Sequence, residues 1–214
     1  ARRYLATFGI REFMALSAET AHKKLISCLF RHFHWGRPQS VSDVFNTYGA
    51  KSVFFSGDIN ADDGLALLRE KKPDLLISVG CPQLFKKEVI TIPRFGCLNL
   101  HGAPLSRYRG ILPSFWMLKN GEGRGANTLF FVNESIDGGE VLLQEPFPIY
   151  DDDTLKYVIR RSKENAASMI LKAIEMVRQE DYTTTPLDLK KGSYYGWPKE
   201  QDVKEFRKAG KRLR

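Results

Sequence analysis

Two apolar runs lie between helical segments of this chain: LLISV at residues 75–79 and FGCLNLH at residues 95–101. An amphipathic stretch at 61–71, closed by Pro73, precedes the first run. A near-continuous apolar run between helices is typical of a strand buried on both faces of a parallel sheet. This alternation predicts an α/β fold with a mainly parallel sheet flanked by helices.

The flanking sequence completes this pattern. Apolar residues recur at helical spacing over 4–34 and 154–179, and strand-like runs occupy 52–56, 128–132 and 140–149. The last two surround Gly138-Gly139, which predicts an antiparallel pair. We therefore divide the chain into a helical N-terminal segment at 1–39, an α/β domain at 40–185 and a short basic C-terminal tail at 186–214.

Composition narrows the class of protein. The 214 residues are 43% hydrophobic and 27% charged, as in an ordinary globular protein. No apolar run approaches the ~18 residues of a membrane span, and early charges argue against a signal peptide. The three cysteines lack metal-ligand spacing, so we expect no metal site, a cytoplasmic location and small buried side chains at Cys28, Cys81 and Cys97.

The net charge of +8 is concentrated at the two ends of the chain. Residues 1–40 hold seven Lys or Arg against two Asp or Glu, and residues 187–214 hold nine against four. Such ends suit an anionic partner such as RNA, or they are simply solvated helical faces.

The chemically most informative residues are Asn99 and His101. They are two apart at the end of an apolar run, so their side chains point to one face of a strand. Polar groups buried there are costly unless they form hydrogen bonds within the protein or take part in a functional site. Asp137, before Gly138-Gly139, is either a turn residue or a third member of a site.

Together these three side chains suit acyl transfer to an amine. Asn99 and His101 would donate hydrogen bonds to an oxygen that becomes negative. Asp137 would orient His101 or accept the amine proton. Neither a nucleophile elbow nor a P-loop occurs in the sequence, and His32 and His34 read as surface or packing residues.

The segment 95–110, with its Arg107-Tyr108-Arg109-Gly110 loop, resembles the formyltransferase family that uses 10-formyltetrahydrofolate, as does Asp137-Gly138-Gly139 downstream. This family includes methionyl-tRNA, glycinamide ribonucleotide and sugar N-formyltransferases, and the likeness covers about residues 40–180. The resemblance implies a Rossmann-like formyltransferase fold, with 40–185 as the catalytic domain.

The resemblance also implies roles for individual residues. Asn99 and His101 match the pair that polarises the formyl group, and Asp137 matches the essential aspartate. The folate-binding positions fall on two loops, one at 81–85 and one at 132–136. From these loops we take as cofactor-binding residues Cys81, Gln83, Leu84, Phe85, Asn133 and Ser135.

The sequence departs from the family at several points. The family's His-x-Ser-Leu-Leu-Pro is His101 to Ser106 here, with the proline moved to Pro104. The family's opening strand with its glycine-containing turn has no visible counterpart, and basic helical residues 4–34 take its place. A chain that begins with Ala1 rather than methionine is typical of a trimmed chain or a fragment.

The resulting expectation is an enzyme that moves a formyl group from 10-formyltetrahydrofolate to a primary amine. The amine would be carried on methionyl-tRNA or on a nucleotide-linked amino sugar, with no membrane partner. Two alternatives stay open at this point: a hydrolase of the same donor, and a non-catalytic module that binds RNA or folate.

Overall fold

The computed structural model describes residues 1–33 and 36–214, which form two compact units, Ala1–Ser56 and Gly57–Arg214. The first unit is helical, with α1 at Arg2–Phe8, α2 at Ile10–Phe33 and α3 at Val41–Thr47. Gly9 separates α1 from α2 because its φ of 88° lies outside the helical region. The predicted N-terminal helix is therefore confirmed over the described residues.

In the first unit, one predicted strand is absent and one predicted surface histidine is exposed. The strand predicted at 52–56 is wrong: these residues have no regular structure, and Phe54 is 94% exposed. An extended aromatic segment becomes a strand only where a neighbour supplies ladder hydrogen bonds, and no described strand pairs with this one. His32 is exposed, as predicted, whereas His34 lies outside the described residues.

The second unit carries the remaining elements. Its helices are α4 (Asp62–Lys71), α5 (Lys87–Ile90), α6 (Pro113–Lys119), α7 (Leu155–Gln179) and α8 (Glu200–Lys208). Its strands are β1 (Leu76–Val79), β2 (Cys97–His101), β3 (Arg109–Gly110), β4 (Arg124–Phe131), β5 (Val141–Pro148) and β6 (Tyr194–Tyr195). The predicted α/β alternation is confirmed.

The main sheet has the strand order β1-β2-β4-β5. β1 and β2 are parallel, whereas β4 is antiparallel to both β2 and β5. The expectation of a mainly parallel sheet is therefore wrong for these strands. The apolar runs identify buried strands, but strand direction depends on how the connections pack, which those runs do not encode.

Helix α7 covers one face of the sheet. Met169, Ala173 and Val177 pack against Leu98 and Leu129, and all five are essentially inaccessible to solvent. The helix begins where predicted, because the Thr154 hydroxyl accepts a hydrogen bond from the Tyr157 amide. This packing immobilises β2 and β4.

The C-terminal residues are folded onto the second unit. β6 pairs in parallel with β3, and Phe206 of α8 stacks on Phe115 of α6 with ring centroids 4.7 Å apart. Lys119 of α6 bridges to Asp202 at 3.1 Å and to Glu205 at 2.8 Å. The tail predicted at 186–214 thus contains a strand and a helix with buried partners.

The cysteines divide into two groups. Cys97 is buried, and desolvation raises the pKa of its thiol to about 11. Cys28 and Cys81 are exposed, so the prediction of buried side chains is wrong for these two.

Candidate active site

A cavity in the second unit collects most of the residues predicted from sequence. It is lined by the loop after β1, by Asn99 of β2 and by the loop after β4. The lining residues are Ser78, Cys81, Gln83, Leu84, Phe85, Asn99, Phe130, Val132, Asn133, Glu134, Ser135, Ile136 and Asp137. All six predicted cofactor-binding positions and two of the three predicted catalytic positions therefore surround one space.

The third predicted catalytic residue, His101, is buried and contacts Asp137. Its Nδ1 lies 3.8 Å from Asp137 Oδ2. Its Nε2 lies 2.7 Å from the carbonyl oxygen of Tyr108. A carbonyl oxygen can only accept a hydrogen bond, so Nε2 must carry a proton. In a neutral ring, Nδ1 is then a bare acceptor that faces a carboxylate.

Asp137 is held by the backbone of a distant segment. Its Oδ2 accepts a hydrogen bond of 2.7 Å from the Gly110 amide. Its φ of 46° is a left-handed conformation, which Asp and Asn tolerate better than most residues. Gly139 lies two residues on, and a Cβ there would come within 1.6 Å of the Phe131 carbonyl oxygen. Glycine is thus required where the turn returns to β5.

The antiparallel direction of β4 changes how this loop reaches the site. Phe131 pairs with Leu98 near the start of β2, so the carboxyl end of β4 lies away from that of β2. Residues 132–137 then run back toward His101. The expectation that the site gathers where strands end in one direction fits β1 and β2 but not β4.

The 81–85 loop lines the cavity but also has a structural task. The Gln83 side chain donates to the Gly57 carbonyl at 2.8 Å and accepts from the Ile59 amide at 2.7 Å. Its amide group is thus already engaged within the protein. The neighbouring Leu84 is 65% exposed and has its carbonyl bound by the Asn60 side chain at 2.9 Å.

The loop at 132–136 is shaped by Asn133. Its Oδ1 accepts from the Ser135 amide at 2.9 Å, and its Nδ2 donates to the Gly138 carbonyl at 3.3 Å. Such side-chain to backbone hydrogen bonds fix a turn without a ladder. Phe85 and Phe130 also line the cavity, so it offers apolar surface for a flat ring.

Sequence reasoning missed the groups that hold the His101–Asp137 pair. Tyr108 is one of them: its hydroxyl donates to Glu122 at 2.6 Å. Burial and this bond to Glu122 raise the pKa of Tyr108 to about 12. The contacts to His101 and Asp137 come from backbone atoms of 108 and 110, which carry no residue-type signal.

The two arginines of this loop differ. Arg107 forms an ion pair with Glu122 at 3.0 Å. Arg109 has a buried Nε for which the described residues supply no hydrogen-bond partner. Arg109 is not among the residues that line the cavity.

The fold and this site define an α/β protein with an amide and a carboxylate at one cavity and an imidazole beside the carboxylate. Comparison with known proteins gives the family. The formyl transferase family model matches residues 37–174, and the chain belongs to that family.

Curated relatives agree with this assignment. A methionyl-tRNA formyltransferase of Kosmotoga olearia is 31% identical over 73% of this chain and 50% of its own. One of Fusobacterium nucleatum is 34% identical over 66% and 43%. The chain thus spans about half the length of these curated relatives.

Two solved structures share the fold. A sugar N-formyltransferase of Shewanella sp. has a TM-score of 0.60 at 22% identity, over 78% of this chain and 70% of its own. The formyltransferase PseJ of Anoxybacillus kamchatkensis, solved with a formamido sugar nucleotide and tetrahydrofolate, scores 0.54 at 18% identity over 75% and 82%.

Among residues 1–33 and 36–214, no helix is long and apolar enough to cross a membrane. Within the same residues, no cluster of three or more His, Cys, Asp or Glu side chains is arranged to hold a metal ion.

Proposed function

We propose that this chain transfers a formyl group from 10-formyltetrahydrofolate to a primary amine, with Asn99, His101 and Asp137 as catalytic residues. Membership of the formyl transferase family supports the reaction class. The observation that carries the assignment is the approach of Asp137 Oδ2 to within 3.8 Å of His101 Nδ1, beside a cavity that Asn99 also lines.

The cavity fits a folate by the chemistry of its walls. Phe85, Phe130 and Ile136 offer apolar surface beside the loop at 132–136. Cys81, Leu84, Asn133 and Ser135 would complete the contacts. Gln83 would line the folate site without hydrogen-bonding the folate through its side-chain amide, because that amide is already bound to Gly57 and Ile59. When bound, the donor supplies the formyl carbon that an amine attacks.

Asn99 would stabilise the oxygen that gains charge. Its side chain lines the cavity and has no hydrogen-bond partner among the described residues. Its Nδ2 is therefore available as a donor. Removing one such donor from an enzyme that stabilises an oxyanion costs about 10²–10³ in turnover.

His101 and Asp137 would handle the proton. Nε2 donates to the Tyr108 carbonyl, so a proton from the amine can be taken up only at Nδ1. Asp137 lies opposite that nitrogen and stabilises the resulting imidazolium. The bond between the formyl carbon and the tetrahydrofolate nitrogen would then break, and His101 would return its Nδ1 proton to that leaving nitrogen, so one ring would act first as base and then as acid.

The acceptor is proposed to be an amine on an anionic carrier. The basic ends of the chain favour a phosphate-bearing substrate. Aminoacyl-tRNA and a nucleotide-linked amino sugar both qualify. The salt dependence of binding distinguishes the two acceptors, because binding that uses many phosphates weakens steeply as the salt concentration rises.

The test combines a panel of such amines with purified protein and 10-formyltetrahydrofolate. We expect formylated product from wild type, and loss of turnover with retained folate binding in Asn99→Ala and Asp137→Ala. Formate release without an amine would instead identify a hydrolase. Folate or RNA binding without turnover across the whole panel would identify a non-catalytic module.

A further inference from the structure

The segment 192–196, called here the clamp strand, lies beyond the residues that the family model matches. It runs beside the loop that supports His101 and Asp137. The Ser193 carbonyl accepts from the Arg109 amide at 2.9 Å, and the Tyr195 carbonyl accepts from the Ile111 amide at 2.8 Å. The Ser193 hydroxyl also accepts from the Tyr108 amide at 3.0 Å.

Aromatic packing fixes the clamp strand in place. The Tyr195 ring stacks on Tyr108 at 5.4 Å and on Trp116 at 4.8 Å. The Trp116 indole N–H lies 3.2 Å from the Gly196 carbonyl. These contacts hold the strand against α6, so its position is set by packing as well as by hydrogen bonds.

Both backbone groups that hold the proposed catalytic pair lie on the segment that the clamp strand binds. The Tyr108 carbonyl accepts from His101 Nε2, and the Gly110 amide donates to Asp137 Oδ2. A displacement of this segment therefore moves the imidazole and the carboxylate together. A misplacement of about 1 Å at reacting groups can cost about 10²-fold in rate.

We propose that the clamp strand is a positioning element of the active site, acting on His101 and Asp137 through the backbone of 108–110. This inference rests on the proposed function for its kinetic consequence. The effect of the clamp strand on the positions of His101 and Asp137 does not depend on the proposed function.

Two glycines of the clamp strand provide a matched test in the full chain. A Cβ at Gly192 would lie 2.4 Å from the Ser106 carbonyl oxygen, so Gly192→Ala must displace backbone. A Cβ at Gly196 would meet nothing within 4 Å. We expect Gly192→Ala to lower kcat about 10- to 100-fold with an unchanged donor KM, and Gly196→Ala to match wild type.

A second pair covers the case in which Gly192→Ala does not fold. Ser193→Ala removes the hydroxyl that holds the Tyr108 amide and leaves the strand backbone in place. We expect it to lower kcat without changing the donor KM, and Ser193→Thr, which keeps a hydroxyl, to restore kcat. If Ser193 had a merely structural role, Ser193→Ala would lower the thermal stability without lowering kcat at an unchanged donor KM.

Nuclear magnetic resonance of the His101 imidazole supplies a readout independent of turnover. We expect its Nε2–H signal, assigned by its loss in His101→Gln, to shift in Gly192→Ala and Ser193→Ala but not in Gly196→Ala. A kcat equal to that of wild type and an unshifted Nε2–H signal in both Gly192→Ala and Ser193→Ala would overturn the positioning role. A shifted signal in a protein that formylates no amine would retain it and reject the proposed function instead.

Discussion

The change Asp137→Asn tests the site by removing a single charge. Asparagine keeps an oxygen for the Gly110 amide and tolerates the φ of 46°, so the loop should retain its shape. The carboxylate that faces His101 Nδ1 at 3.8 Å is lost. At an effective dielectric constant of about 20, that attraction is worth about 4 kcal/mol toward a charged imidazole.

This energy converts to a loss of about 10³-fold in turnover if the imidazolium forms in the rate-limiting step. The assay is formyl transfer at saturating donor, with folate binding measured separately. Glu134→Gln is the matched control, since it removes a carboxylate from the same loop and the same cavity. We expect the control to stay within about twofold of wild type.

A turnover of Asp137→Asn within tenfold of wild type would refute the role of the charge. An equal loss in Glu134→Gln would also refute it, because the effect would then come from the general field of the cavity. A loss of folate binding in Asp137→Asn would show that the side chain holds the loop rather than the proton.

Three further predictions concern stability. Phe206→Ala should cost about 3–5 kcal/mol in unfolding free energy, since this ring is fully buried and stacked; urea denaturation checks this, and a cost below about 1 kcal/mol would contradict the packing of α8. Gly139→Ala should lower the thermal midpoint, whereas Gly123→Ala, with open space around it, should leave it unchanged. Burial acts to raise the pKa of Asp153, but bonds from Arg161 and the Tyr150 amide outweigh it, so the pKa lies below its usual value. The stability advantage over Asp153→Asn should therefore be complete above about pH 4 and vanish as the pH falls through the lowered pKa; an advantage that persists at lower pH in acid titration would contradict this.

The elements with strong periodicity were predictable from sequence. Helix α7 and the strands β1 and β2 follow from apolar spacing and a capping threonine, because local sequence is sufficient to encode them. The prediction of a strand at 52–56 was wrong because local sequence is not sufficient there. Its composition suits a strand, but a strand also needs a neighbour.

The residues of the candidate site were predictable from sequence, whereas their hydrogen-bond partners were not. The polar side chains Asn99, His101 and Asp137 stand out in the sequence; Asn99 and Asp137 line the cavity, and His101 lies 3.8 Å from Asp137. Gln83 was predicted to be a cofactor-binding residue, and the structure places it at the cavity with its amide bound to Gly57 and Ile59. Which of several possible partners a side-chain amide takes is decided by packing.

The residue types of this chain therefore determine its α/β class, its principal helices and the side chains available for chemistry. Tertiary structure alone decides the reversed direction of β4, the return of Asp137 to His101, and the support of both by Tyr108, Gly110 and the clamp strand. The physical reason is that every residue carries nearly the same backbone N–H and C=O groups. Their use in a site leaves no mark on residue type and emerges only when distant segments are packed together.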